Sequence, residues 1–269
     1  MATKHISRVY VDSRFALPSG EFEIPGEEVQ LGQDARCWLG EFSCVNSWDT
    51  IDDTNCLFYI RERASPSSVA VDRVITLTKG PADVDSLALD LQTKLNGSGK
   101  STGIGTYSVT RASTGSGASG SVYRAYQVTL TGGGSFLIFD DSTIEYYSGV
   151  DDAQSTNKLF QFPSGEVFAT SHTSSFVDIR RVHSIYLHCL GFGGYNCVGP
   201  RGERAILAKI PVTAAYGSLL VWTGSHGDHD YIECGVRSVK TLKLELRDAR
   251  GNLLDLKGTS WSATLIFDR

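Results

Sequence analysis

Leu242, Leu244 and Leu246 alternate with Lys243, Glu245 and Arg247, a period of two that predicts a half-buried β-strand. Turn chemistry follows at Asp248-Ala249-Arg250-Gly251-Asn252. A second alternating run then puts Trp261, Ala263, Leu265 and Phe267 on one face and Ser262, Thr264 and Ile266 on the other. The N-terminal segment has the same rhythm. Val9 and Val11 stand between Arg8, Tyr10 and Asp12, and Glu21-Phe22-Glu23-Ile24 lies between turns at Leu17-Pro18-Ser19-Gly20 and Pro25-Gly26. Residues 37–45 and 56–60 are further strand candidates, and from about Ser184 the series resumes at 185–189, 206–212, 219–222 and 231–234. Pro211 closes the row of Ile206, Ala208 and Ile210, which predicts an edge or a strand end there.

The middle of the chain reads differently. Residues 71–78 are strand-like, and Pro81-Ala82-Asp83 then opens a helix in which Val84, Leu87, Ala88, Leu91 and Leu95 fall at helical spacing. Asp83 and Asp85 favour its positive end, and Asn96-Gly97 stops it. A Gly/Ser/Thr-rich region, 97–121, follows, with a short strand at Tyr107-Ser108-Val109 and a loop tip at 115–120 (GSGASG). Residues 126–130 and 136–139 are expected to form a hairpin across Thr131-Gly132-Gly133-Gly134. Strands at both ends with an α+β unit between them predict a β-sandwich interrupted by an insertion.

Composition supports this reading without adding chemistry to it. A chain of 269 residues with 28 glycines, 1 methionine, 41% apolar and 20% charged residues suits many short strands joined by polar turns. The formal charge of −5 argues against a general nucleic-acid binder. No apolar run reaches the roughly 18 residues of a membrane span, and MATKHISRVYVDSR lacks the apolar stretch of a secretory signal. The six cysteines, at 37, 44, 56, 189, 197 and 234, form no CxxC pair and predict free, mostly buried thiols.

The motifs that tempt a catalytic reading lack their context. Gly97-Ser98-Gly99-Lys100-Ser101-Thr102 contains the GKS of a phosphate-binding loop, but Lys94 stands where that loop needs a glycine. A helix also precedes the motif instead of following it, so no helix N-terminus would meet a phosphate. His226-Gly227-Asp228-His229-Asp230 offers imidazoles and carboxylates to a metal, yet a cupin-type site needs a different set, and the remaining close histidine pair is His183 with His188. No GxSxG elbow or Cys-His signature is present. Glu62, Asp52, Asp53, Asp151 and Asp152 read as solvated charges near turns, and Arg180, Arg181, Arg201 and Arg204 as solubilising ones. Trp38, Trp48, Trp222 and Trp261 read as core before interface.

Several runs, in order, carry a family resemblance. They are RVYVDSRFALPSGEFEI, CVNSWDTIDDTNCLFYIRE, VITLTKGPADVDSLALDLQTKLNG, SIYLHC, RAILAKIPVTAAYGSLLVW and LKLELRDARGNLLDLKGTSWSATLIFDR. Together they resemble the penton, or minor capsid, proteins of virophages, Polintons and Polinton-like viruses, within the adenovirus-related double-jelly-roll lineage of double-stranded DNA viruses. The sharpest stretches are Val9 to Arg14, Asn46 to Glu62 and Asp248 to Ser262. The glycine-rich middle and the His226 loop match nothing in that pattern.

The resemblance implies a mainly β protein: a single jelly-roll β-sandwich from residues 1–60 plus 179–269, with a small α+β or β-rich domain, 61–178, inserted and protruding. It implies a homopentamer at the vertex of an icosahedral capsid, beside a double-jelly-roll major capsid protein, with a fibre or host receptor as a further partner of the insertion. It also implies a virion protein made without a secretory signal, with no catalytic residue, cofactor, metal or specific nucleic acid. The alternatives are a non-viral, trimeric jelly-roll module binding carbohydrate or a receptor, and a cupin-type enzyme.

Overall fold

The computed structural model describes residues 6–24, 29–31, 35–112, 125–139, 155–163, 167–192, 197–224, 231–236 and 238–268. Its first strands are β1 (Ile6–Asp12), β2 (Glu21–Glu23), β3 (Val29–Gln30) and β4 (Arg36–Val45). There follow β5 (Leu57–Arg63), β6 (Val71–Thr76), helix α1 (Val84–Leu95), β7 (Thr106–Ala112), β8 (Ala125–Thr131), β9 (Ser135–Ile138), the single turn α2 (Asn157–Phe160) and β10 (Ser171–Thr173). The last part holds β11 (Ser184–Leu190), β12 (Ile206–Pro211), β13 (Leu219–Thr223), β14 (Ile232–Glu233), β15 (Ser238–Val239), β16 (Thr241–Arg247) and β17 (Trp261–Asp268).

Two compact units share the chain: Met1–Trp48 with Val182–Arg269, and Asp49–Arg181. In the first, one sheet has the order β1-β17-β4-β13, with β14 also on β4, and the other has the order β12-β11-β16-β2. From β1 the chain goes to β2 in the other sheet, back to β4, then to β11 and its neighbour β12. It returns to β13, crosses to β16 and ends on β17. This repeated switching of sheets is jelly-roll connectivity. The second unit interrupts the crossing from β4 to β11. Its boundaries, at 48/49 and 181/182, differ from 60/61 and 178/179 because β5 pairs with β6 and β9 of the second unit along Leu57–Arg63.

Period-two patterning explains the sandwich core. Leu242, Leu244 and Leu246 of β16 are buried while Lys243, Glu245 and Arg247 are half-buried. Ala263, Leu265 and Phe267 of β17 face Phe42, Leu39 and Cys37 across the register. Burying each large side chain in this layer contributes about 1.5–3 kcal/mol. Ile266 belongs to the opposite face yet is buried too. The β17–β4 register slips between Thr264 and Leu265, leaving Gly40 as an extra residue on β4. A Cβ at Gly40 would lie 2.7 Å from Ile266 Cδ1, so the glycine is the seat for that side chain.

The second unit packs α1 and two three-stranded sheets, β6-β5-β9 and β10-β8-β7, around Phe58, Leu87, Leu91, Tyr107, Tyr126, Phe136 and Phe160. Asp83 caps α1, accepting from the backbone N–H of Asp85 and Ser86. The expected hairpin of 126–130 with 136–139 does not form: β8 pairs with β7 and β10, and β9 with β5. Gly132, Gly133 and Gly134 all have positive φ (88°, 122° and 85°) and carry the chain from one sheet to the other.

Candidate assembly surface

Glu62 and the GKS segment are absorbed by the fold of the second unit. Glu62, expected to be a solvated charge, is fully buried in β5. Its Oε1 accepts from Tyr107 Oη at 2.8 Å and from Arg73 Nη1 at 3.1 Å, and its Oε2 accepts from the Ser101 backbone N–H at 3.0 Å. Arg73 also donates to the carbonyls of Leu95 and Lys94, both at 2.8 Å, and so closes the C-terminal end of α1. Burial, and the carboxylate beside it, hold the Tyr107 phenol protonated far above the usual tyrosine range. The GKS segment is thus a loop folded over Glu62, with Lys100 Nζ donating to the Gly105 carbonyl at 2.8 Å. A phosphate there would meet the negative end of α1.

Asp52, Asp53, Arg180, Arg181 and Arg201 have local partners. Asp52 Oδ1 accepts from Thr54, and Asp52 pairs with Arg181 at 2.5 Å. Lys79 pairs with Asp53, and Arg180 with Asp178 at 3.2 Å. Arg201 Nη1 donates to the carbonyl of Arg250 at 3.0 Å. Cys37, Cys44, Cys56, Cys189 and Cys234 are buried free thiols, and Cys197 is a half-buried one. Burial alone pushes the Cys44 thiol up to about 12. His188 is buried in β11, and burial with the nearby Arg247 charge lowers its pKa. Among the described residues no group of three or more His, Cys, Asp or Glu side chains is placed to hold a metal. Asp151, Asp152, the 115–120 tract and the His226–His229 loop lie outside the described residues.

What the described surface offers instead lies at the two open sides of the sandwich. Strands β1 and β2 are edge strands of opposite sheets and flank a cleft of about 530 Å³ on one side. The exposed rings of Tyr10 and Phe15 stand at this cleft, above an apolar floor of Val9, Phe22 and Leu242. Its charged lining residues are Asp12, Glu23 and Glu41. Asp12 is held by Arg14, whose guanidinium lowers its pKa to about 2, so Glu23 and Glu41 set the sign.

Strands β12 and β13 are the other two edges, and a cleft of about 760 Å³ lies on their side. Trp38, Trp222, Tyr231, Ile206 and the exposed Val198 line it. Lys209 is its one charged lining residue among those described, and Arg36 stacks on the Tyr231 ring at 4.1 Å. The tryptophans accordingly divide. Trp48 is buried, and Trp261 packs against Phe22 and Phe42 with ring centroids 5.4 and 6.0 Å away. Trp38 and Trp222 line the cleft.

Sequence reasoning singled out neither side. A signal existed: Tyr10 sits on the polar face of an alternating strand, where a large ring is out of place. Phe15, Val198 and Lys209 lie in a short helical turn, a loop and a short strand that carry no comparable pattern.

No protein-family model matches the chain, and no curated protein matches it. Among solved structures it is similar to the crystal structure of the penton protein of mavirus, a virophage. The likeness has a TM-score of 0.57 and 9% sequence identity, and it covers 99% of this chain and 100% of that one. The two chains share a fold from end to end.

Proposed function

We propose that this chain is a structural virion protein forming the pentameric vertex of an icosahedral double-stranded DNA virus capsid. The observation that carries the reading is the end-to-end likeness to the mavirus penton protein. The match includes both the sandwich and the unit placed between β4 and β11. In this role the sandwich contacts its own copies and a double-jelly-roll major capsid protein, and the inserted unit Asp49–Arg181 faces outward and presents its surface to a fibre or host receptor. The work is done by surfaces and not by catalysis. Electron microscopy of particles labelled on this protein tests the reading. Density at the fivefold vertices alone is the expected result. An abundant component of the flat facets would remove the vertex assignment, and absence from particles would remove the virion role.

A further inference from the structure

The two open sides of the sandwich differ in shape and in sign. One presents projecting rings, Tyr10 (74% exposed) and Phe15 (79%), with Glu23 and Glu41 beside them. The other presents a wide aromatic cleft with Lys209 and no acid among its described lining residues. Edges of the same sheet contribute to both sides, β1 to the first and β13 to the second, so the two sides face away from each other. A surface of this kind is not self-complementary. It pairs with the unlike side of another copy, and such heterologous contacts propagate until rotation closes them into a ring.

Resting on the assembly reading above, we infer that the occupant of the Trp38–Trp222 cleft is a second copy of this chain. It enters by its β1 side, with Tyr10 and Phe15 seated in the cleft and Glu23 and Glu41 facing Lys209. Aromatic anchors in an apolar pocket supply most of the attraction in such contacts, and the charges set orientation and partner choice. Both members come from the jelly roll, so the inserted unit is left free of this contact. The contact is directional: each copy gives its rings to one neighbour and its cleft to the other.

Analytical ultracentrifugation and native mass measurement test this with variants at exposed positions. Tyr10→Asp disables the ring side and Val198→Asp (Val198 is 69% exposed) disables the cleft side. The wild-type chain is expected at a multiple of its 29.2 kDa mass and each variant alone at the monomer mass. An equimolar mixture of the two is expected to give dimers and nothing larger, because each copy keeps one working side and the two sides are unlike. In a second series, Lys209→Glu alone and Glu23→Lys with Glu41→Lys alone should each weaken assembly at least tenfold. The triple variant should recover it, a rescue that a folding defect would not show. Circular dichroism reports whether each variant is folded, and the charge series stands if an aspartate variant is not.

A wild-type oligomer that persists in both aspartate variants overturns the contact and leaves the vertex reading intact. So does a variant that dimerises by itself. A wild-type chain that stays monomeric also overturns the contact, while particle imaging, which needs no assembly in solution, decides the vertex reading separately.

Discussion

The phenol of Tyr107 donates to Glu62 Oε1 at 2.8 Å inside the second unit, joining β7 to β5 across 45 positions of sequence. The same carboxylate receives Arg73 and the Ser101 amide, and Arg73 spans to the end of α1. One buried acid therefore ties three strands (β5, β6 and β7), a loop and a helix terminus together. A buried ion pair of this kind adds little when complete but is costly to break, because the survivor keeps its charge without a partner.

Glu62→Gln should therefore lower stability by about 3–5 kcal/mol, and Tyr107→Phe by about 1–3 kcal/mol. Urea unfolding followed by far-ultraviolet circular dichroism measures both. All four tryptophans (38, 48, 222 and 261) lie in the first unit, so their fluorescence follows the sandwich. The dichroism midpoint should shift more than the fluorescence midpoint. A Glu62→Gln protein within about 1 kcal/mol of wild type would show that the network is not a keystone.

What the residues disclosed was patterning, and what they withheld was partnership. Leu242, Leu244 and Leu246 point inward as their spacing predicts, because strand parity is local. Strands β8 and β9 were visible as strands, but their partners were not, because three glycines can close a hairpin or redirect the chain equally well. Glu62 shares the inward parity of Phe58 and Ile60, and Arg73 shares that of Ile75. That coincidence of two inward charges was legible, though their pairing depends on the β5–β6 register. The assembly surface was least legible. Each side joins two consecutive strands, β1 with β2 and β12 with β13, but the members of each pair lie in opposite sheets, and only the closed sandwich makes a cleft between them.

Gly105 marks a close approach of backbones in the second unit. A Cβ there would lie 1.8 Å from the Thr131 carbonyl oxygen, where β7 and β8 meet. Gly105→Ala must push the strands apart and should cost at least about 2 kcal/mol. Gly217→Ala is the contrast. Its Cβ meets nothing within 4 Å, so its cost is the positive φ of 76°, about 1–2 kcal/mol. Thermal unfolding of the pair ranks them, and equal losses would remove the steric argument.

Thiol chemistry should distinguish Cys197 from the other five cysteines. Its Sγ, half-buried, donates to the Ile206 carbonyl at 2.9 Å, whereas Cys37, Cys44, Cys56, Cys189 and Cys234 are buried. Burial pushes Cys44 and Cys189 up to about 12, so neither carries much thiolate near neutral pH. Titration of the folded Tyr10→Asp chain, in which no second copy covers the cleft that Cys197 lines, with an aromatic disulfide reagent should show one fast thiol, and adding Cys197→Ser should abolish that phase. All six should react in denaturant. A fast phase that survives Cys197→Ser would place an accessible thiolate elsewhere.

His188 should make the sandwich sensitive to mild acid. It lies buried on β11, facing Glu245 of β16 in register, with Arg247 of β16 and Glu203 also acting on it. Burial, then the Arg247 charge, lower its pKa below the ordinary 6.5, while Glu203 and Glu245 oppose the shift without reversing it. The unfolded chain therefore holds a proton that the folded chain releases in the interval between the folded pKa and 6.5. Stability from this group is complete above pH 6.5 and declines as pH falls through that interval, with a slope of at most about 1.4 kcal/mol per pH unit for one proton. Below the folded pKa both states are protonated and the slope from this residue vanishes. Tryptophan-detected urea midpoints between pH 7.5 and 5 measure the decline, and His188→Gln should flatten it. A variant that loses stability as steeply as wild type would assign the acid sensitivity to the carboxylates.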